Sequence, residues 1–239
     1  MTQQQTDGDG AVVVIGGTAG LGRDLAEYYA ERGRRVVITG RSQERADKIA
    51  AEIGGNTSGI GLDLTKVEEI APALAPIGPV QYLVFTAFFR DRNTAKDFNI
   101  ANARDLATIK IVGYTEVVHA LYDRLLPTGS ILLYGGGLKD RPQVGTLTVS
   151  TTNAAVMGLT RALAVELAPI RVNAIHPGMV ADSPFWTNQP AEVREAIRSR
   201  TPTKRFTTMR DVTTAAVFLL EHPAINGVNL DVNGGASLT

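Results

Sequence analysis

The sequence predicts an α/β fold: a doubly wound parallel sheet of about seven strands with helices on both faces. Three observations predict it. Short β-branched runs alternate with segments of helical period along almost the whole chain, and those runs are continuously apolar. A glycine-rich turn joins the first run to the first helical segment. The composition agrees, since 44% of the 239 residues are apolar and 20% charged, and that length suits one α/β domain or two small ones.

Met1 to Gly10 (MTQQQTDGDG) is polar with nothing to bury and is read as a disordered lead. Residues 11–239 then form a single Rossmann-type domain, with no repeat, low-complexity tract or linker to divide them. Strands are expected at Ala11–Ile15, Arg35–Thr39, Gly59–Leu62, Val80–Thr86, Ser130–Tyr134, Ile170–Ile175 and Val228–Val232. The helices between them are expected at Leu21–Arg32, Gln43–Ile53, Lys66–Leu74, Ile100–Leu125, Ser150–Leu167 and Asp211–Glu221. Thr65 with Glu68 makes a capping-box pattern, and Gly33 and Gly54 stand where helix C-caps stand. Right-handed crossovers wind such a pattern about one parallel sheet, with ligands beyond the carboxyl ends of the strands. Ala181–Lys204, which holds Pro184, Pro190 and Pro202, falls there and is read as a lid. Its Phe185 and Trp186 suggest an apolar or aromatic small-molecule substrate.

Composition also excludes. Lys plus Arg equals 24 and Asp plus Glu equals 24, so no bulk field draws nucleic acid or an anionic membrane. No Cys occurs, which removes disulfides and thiolate chemistry, and His119, His176 and His222 match no metal-ligand spacing, so no metal is expected. No apolar run reaches the ~18–20 residues of a membrane span, and no secretion signal is visible. The expected location is cytoplasmic.

The turn Gly16-Gly17-Thr18-Ala19-Gly20-Leu21-Gly22 opens the first helix directly after the first strand. Glycines there allow a tight turn and close backbone approach, and the helix N-terminus offers free N–H groups to a pyrophosphate. A dinucleotide is therefore expected. NAD binders place an acid at the end of the second strand, but this chain reads Thr39-Gly40-Arg41-Ser42. Arg41, with Arg23, would attract a 2′-phosphate, so NADP(H) is preferred over NAD(H).

These motifs resemble the short-chain dehydrogenase/reductase family, from Ala11 to Ser237. Asp63 and Leu64 match the family's segment after the third strand, whose acid contacts adenine. Asn153–Ala168 looks like its long fifth helix, Arg171–Gly178 like its sixth strand with a Pro177-Gly178 turn near the nicotinamide, and Gly227–Gly235 like its Gly-Gly ending. The resemblance implies homodimers or homotetramers paired through the fourth and fifth helices. The fifth is rich in small and apolar residues such as Ala154, Ala155, Met157, Ala162, Ala164 and Val165.

The catalytic residues depart from the family. Its Tyr and Lys positions hold Val149 and Asn153, its Ser position holds Gly136, and its structural Asn falls on Lys110. No Tyr stands four residues before any of the six lysines, and the enoyl-reductase spacing is absent too. A phenol of pKa near ~10 needs a neighbouring cation to act near neutral pH, and a valine moves no proton at all. After the fourth strand the family's Asn-Asn-Ala-Gly becomes Phe85-Thr86-Ala87-Phe88, where the Phe88 ring stacks on a ligand, blocks the cofactor or packs against helices. Lys110 and Tyr134 are the substitute proton-handling candidates. Lys110 shares a helix face with Tyr114, period two puts Tyr134 on the face of Gly136, and His176 and Asp182 flank the Pro-Gly turn. Three activities stay open: an NADP(H)-binding reductase without the usual proton relay, a non-redox cyclase or isomerase on the same fold, and an inert cofactor-binding or oligomer partner.

Overall fold

The seven apolar runs become seven strands of one sheet in the order β3-β2-β1-β4-β5-β6-β7, every pair parallel. The structure, a computed structural model, describes residues 10–239. The strands are β1 (Ala11–Ile15), β2 (Val36–Gly40), β3 (Thr57–Gly61), β4 (Val80–Phe85), β5 (Leu125–Tyr134), β6 (Arg171–Pro177) and β7 (Asn229–Val232). Strand order reverses between β1 and β4, which opens a crevice at their carboxyl ends.

Helices α1 (Gly20–Ala30), α2 (Gln43–Ile53) and α9 (Met209–Glu221) lie on one side. Their Leu25, Tyr29, Ile49, Val212 and Leu219 pack on the face of the sheet that presents Val12, Val14, Ile38, Val84 and Leu132. Helices α3 (Val67–Leu74), α5 (Tyr114–Leu121) and α6 (Leu147–Glu166) cover the alternate residues Val13, Ile15, Leu83, Phe85, Ile131 and Leu133. Period-two alternation along the apolar stretches of β1, β2, β4 and β5 thus feeds two cores. No helix among the described residues is long and apolar enough to cross a membrane.

Several expectations are corrected. Of the lead, Met1–Asp9 lie outside the described residues, whereas Gly10 is buried, its position crowded by the Pro79–Gln81 backbone. The Thr65–Glu68 capping box does not form. Lys66 occupies the N-cap of α3 without a side-chain bond, because Thr65 donates its hydroxyl to Asp63 instead. The helix expected over Ile100–Leu125 is α4 (Ile100–Ala107), a π-helical turn (Thr108–Gly113) and α5, and Leu125 already starts β5. A register shift between Val80 and Tyr82 lets β5 pair across the irregular Pro127–Gly129 stretch, which hid that start. Residues 181–204 hold two helices, α7 (Pro184–Thr187) and α8 (Ala191–Arg200), each opened by a proline.

Candidate active site

Between β1 and α1 the chain turns through Gly16 at φ 92° and enters the helix at Gly20, φ 54°. A Cβ at Gly16 would stand 2.7 Å from the Ala87 nitrogen, and one at Gly22 would stand 2.7 Å from the Gly16 carbonyl oxygen and overlap the Thr86 hydroxyl, so both must be glycine for β1, α1 and the post-β4 loop to meet. Gly20 faces open space. Ala19 is the N-cap of α1, with no side-chain cap and no acid in the first turn. The N–H groups of Gly20, Leu21 and Gly22 therefore lack an acceptor among the described residues, and the positive end of α1 points into the crevice. The Gly16 N–H is held by Thr39 Oγ1 at 3.1 Å. Gly40 leaves room for the Thr18 methyl, which fixes the turn against β2.

At the end of β2, Arg41 is exposed and forms no ion pair with a described residue. Ser42 caps α2 by accepting from the Arg45 N–H. Arg23 does not join Arg41. Its guanidinium binds Glu27 at 2.8 Å and Glu52 at 2.9 Å, which raises its pKa and neutralises its charge. The expectation of two free arginines at one site is corrected to one. Half-buried Asp63 accepts from the Thr65 N–H and hydroxyl through Oδ1, while Leu64 packs in the core beside Gly113. Pro177 ends β6, and Gly178 packs its α-carbon against Asn233, donating its N–H to the Val232 carbonyl.

Gly136 and Asn153, two of the positions expected to correspond to the family's relay, lie against each other. A Cβ at Gly136 would stand 2.8 Å from Asn153 Nδ2, and that amide makes no hydrogen bond to a described residue. Half-buried Val149 lies one turn before Asn153 on α6. Lys110 sits in the π-helical turn, a distortion that recurs at functional sites, and is 3% exposed. Its ammonium donates to the Tyr134 carbonyl at 2.6 Å and lies 5.6 Å from the Phe88 ring and 5.8 Å from the Tyr114 ring. Burial without an anionic partner pushes the Lys110 amine down to about 7. Tyr114 donates its hydroxyl to the Ala87 carbonyl at 2.6 Å, so the helix and the post-β4 loop are stitched together.

The Tyr134 side chain does not join them. It packs among Val12, Ile175 and Val212 on the α1/α9 side, with burial and the nearby Asp24 raising its pKa. Period two fails here because β5 ends at Tyr134 and the chain turns before Gly136. His176 is fully buried beneath Gly135, accepts the Gly136 N–H on Nδ1 and, as the Nε2–H tautomer, donates to Asn229 Oδ1. Burial lowers its pKa, so it holds the loop as a neutral ring. Asp182 accepts the Met209 N–H at the start of α9. Phe88 does not pack into helices: its ring is 50% exposed at the crevice. Sequence reasoning missed Arg90, whose guanidinium carbon lies 3.6 Å over the Phe185 ring of α7. Its only local signal was its place two residues beyond the family's lost glycine.

A family model described as enoyl-(acyl carrier protein) reductase matches residues 16–237. A mouse protein named 3-oxoacyl-[acyl-carrier-protein] reductase is 31% identical over 97% of this chain and 99% of its own. The chain belongs to the short-chain dehydrogenase/reductase family. Among solved structures, a protein described as a short chain dehydrogenase/reductase family protein superposes with a TM-score of 0.86 at 27% identity, covering 99% of this chain and all of the other. The MalC reductase/Diels-Alderase from Malbranchea aurantiaca superposes at 0.88 with 25% identity, over 97% and 98% of the two chains. Within this oxidoreductase family the chain carries the glycine-rich turn Gly16–Gly22, and Gly136, Val149 and Asn153 stand at the positions expected to hold the proton-handling side chains.

Proposed function

We propose that this chain binds NADP(H) in the β1–α1 crevice and reduces or oxidises a small carbonyl or hydroxyl substrate without a Tyr–Lys proton relay. The observation that carries the cofactor assignment is the N-terminus of α1, uncapped by any side chain and with three N–H groups unpartnered among the described residues, together with an Arg41 that forms no ion pair with a described residue and no acid at the end of β2. Gly16, Thr18, Ala19, Gly20, Leu21 and Gly22 would cradle the pyrophosphate. Arg41 and Ser42 would meet the 2′-phosphate, Asp63 and Leu64 the adenine, and Ala87, Pro177 and Gly178 the nicotinamide side. The open space at Gly20 fits a backbone approached by phosphate. Bound NADP(H) supplies the hydride chemistry.

The chain's own residues orient the substrate and set the field around it. Lys110 stands in for the charge lost at Asn153, since its buried ammonium stabilises negative charge on a substrate oxygen and, titrating near neutral pH, holds a transferable proton. Phe88 and α7 screen the crevice from water. Residues 181–204 act as the lid of this single Rossmann domain. Homodimers or homotetramers would form through α4, α5 and α6, where Ile100 of α4, Val112 of the π-helical turn, Tyr122 just past α5 and Val165 of α6 are exposed.

A second reading, a non-redox ring-forming or isomerising enzyme, is favoured by one observation. The MalC neighbour is named for a Diels–Alder activity beside its reductase one, and this crevice lacks the relay that ordinary reduction needs. Loss of NADPH absorbance against a panel of activated and simple carbonyls, after NADPH binding is read by its fluorescence, tests the two. The first reading expects turnover of activated carbonyls only. Binding with no turnover of any carbonyl overturns it in favour of the second.

A further inference from the structure

The carboxyl edge of the sheet carries a feature of which only Lys110 enters the proposed proton transfer. Four side chains from three segments form a column: Lys110 on the π-helical turn, Phe88 and Arg90 on the post-β4 loop, and Phe185 on α7. Lys110 Nζ lies 5.6 Å from the Phe88 ring, Arg90 Cζ lies 5.7 Å from that ring, and Arg90 Cζ lies 3.6 Å over the Phe185 ring. Two cations thus alternate with two aromatic rings between the buried end of the crevice and the lid. Both rings keep exposed surface, Phe88 50% and Phe185 38%.

Lys110 donates to the Tyr134 carbonyl, but Arg90 has no such partner among the described residues. Among the described residues Arg90 has no carboxylate partner and donates no hydrogen bond, and burial alone lowers its pKa. The neighbouring Asp91 is turned away to accept from Asn93 Nδ2 at 2.7 Å. Stacking on Phe185 uses the flat face of the guanidinium, so the in-plane N–H fork stays free, and that fork matches a carboxylate in two-point geometry. Arg90 is exposed as a residue, so water can meet these donors until an anion of matching geometry replaces it.

We infer that this column recognises a small ligand with a flat apolar body and a carboxylate, the carboxylate on Arg90 and the body against Phe88 and Phe185. The inference rests on the proposed crevice and specifies its substrate class. It also couples recognition to the lid, because Phe185 belongs to α7 and Arg90 to the loop facing it.

Trp186 is the only tryptophan in the chain, and its ring centre lies 5.1 Å from that of Phe185, so its fluorescence reports on the column. The experiment titrates the full chain without cofactor using 3-phenylpropanoate and, separately, 3-phenylpropanamide, with acetate and inorganic phosphate as further probes. The carboxylate is expected to shift Trp186 emission saturably and to bind about ten-fold or more tightly than the amide, the value of a charge-assisted pair. Arg90→Gln is expected to erase that gap and Arg90→Lys to keep part of it. Acetate should bind weakly, for want of the apolar body. Equal affinities for acid and amide in the wild type overturn the inference without any variant, as does an acid preference unchanged in Arg90→Gln or phosphate binding as tightly as the aryl acid. NADPH binding is read separately by its own emission. An aryl-acid preference without NADPH binding sinks the reductase reading and leaves this site standing, and the reverse result sinks this site alone.

Discussion

Rebuilding the proton relay is the most demanding perturbation of this crevice. A Cβ on Gly136 would stand 2.8 Å from Asn153 Nδ2, the far end of a flexible amide, so Gly136→Ser alone fits only when that amide swings aside. Asn153→Lys removes the amide and adds the cation, and the two changes are therefore coupled rather than additive. The backbone at Gly136 is extended, with φ 173°, which a serine adopts without strain. Val149→Tyr alone adds a phenol whose pKa stays near ~10, too high to matter at neutral pH. That single variant is expected to match the wild type. The triple variant Val149→Tyr, Asn153→Lys, Gly136→Ser is expected to gain roughly 10²–10⁴ in rate on simple ketones, the usual worth of general acid–base help. The assay is loss of NADPH absorbance at saturating NADPH, with thermal unfolding to check the fold. A triple variant that binds NADPH yet stays inert across the panel refutes the reasoning, because the crevice is then shaped for another reaction. Wild-type reduction of simple ketones at ordinary rates, about 1–10³ per second, refutes it from the other side and makes Lys110 the next residue to change.

Arg41→Asp should cost about ten- to hundred-fold in NADPH affinity and reverse or abolish the preference over NADH, as read by fluorescence titration; an unchanged ratio would count against Arg41. Burial pushes the Lys110 amine down to about 7 from 10.5, so between those values the unfolded chain binds the proton that the folded chain has lost, and stability rises with pH across that window. Lys110→Met removes this dependence, and its gain in melting temperature over the wild type should be largest near about pH 6 and shrink towards about pH 9; a gain equal at both would contradict the burial argument. Ala154→Arg, on the outward face of α6, should dissociate the oligomer in light scattering, and a wild type already monomeric at micromolar concentration would remove the assembly claim.

What the sequence made legible was local. Gln43–Ile53 was read with its observed bounds because its helical period runs up to Gly54, which closes the helix at φ 74°. The glycine turn was readable because strand, turn and helix are contiguous. The charge of Arg23 was misjudged because half of its neutralisation comes from Glu52, 29 residues away, although Glu27 at i+4 was visible. Tyr134 was misplaced because period two holds only inside a strand, and β5 stops there. The Arg90–Phe185 stack was not legible at all, since 95 residues separate its members and only the packed sheet edge brings them together.

In the proposed function the binding half of the family pattern survives, in a crevice made for a 2′-phosphate. Calorimetric titration of the wild-type chain with NADPH and with NADH tests it most directly. Saturable one-site binding of NADPH is expected, about ten-fold or more tighter than NADH and weakened by salt, because an exposed Arg41 carries the difference. Equal affinities, or no binding of either nucleotide, would contradict it.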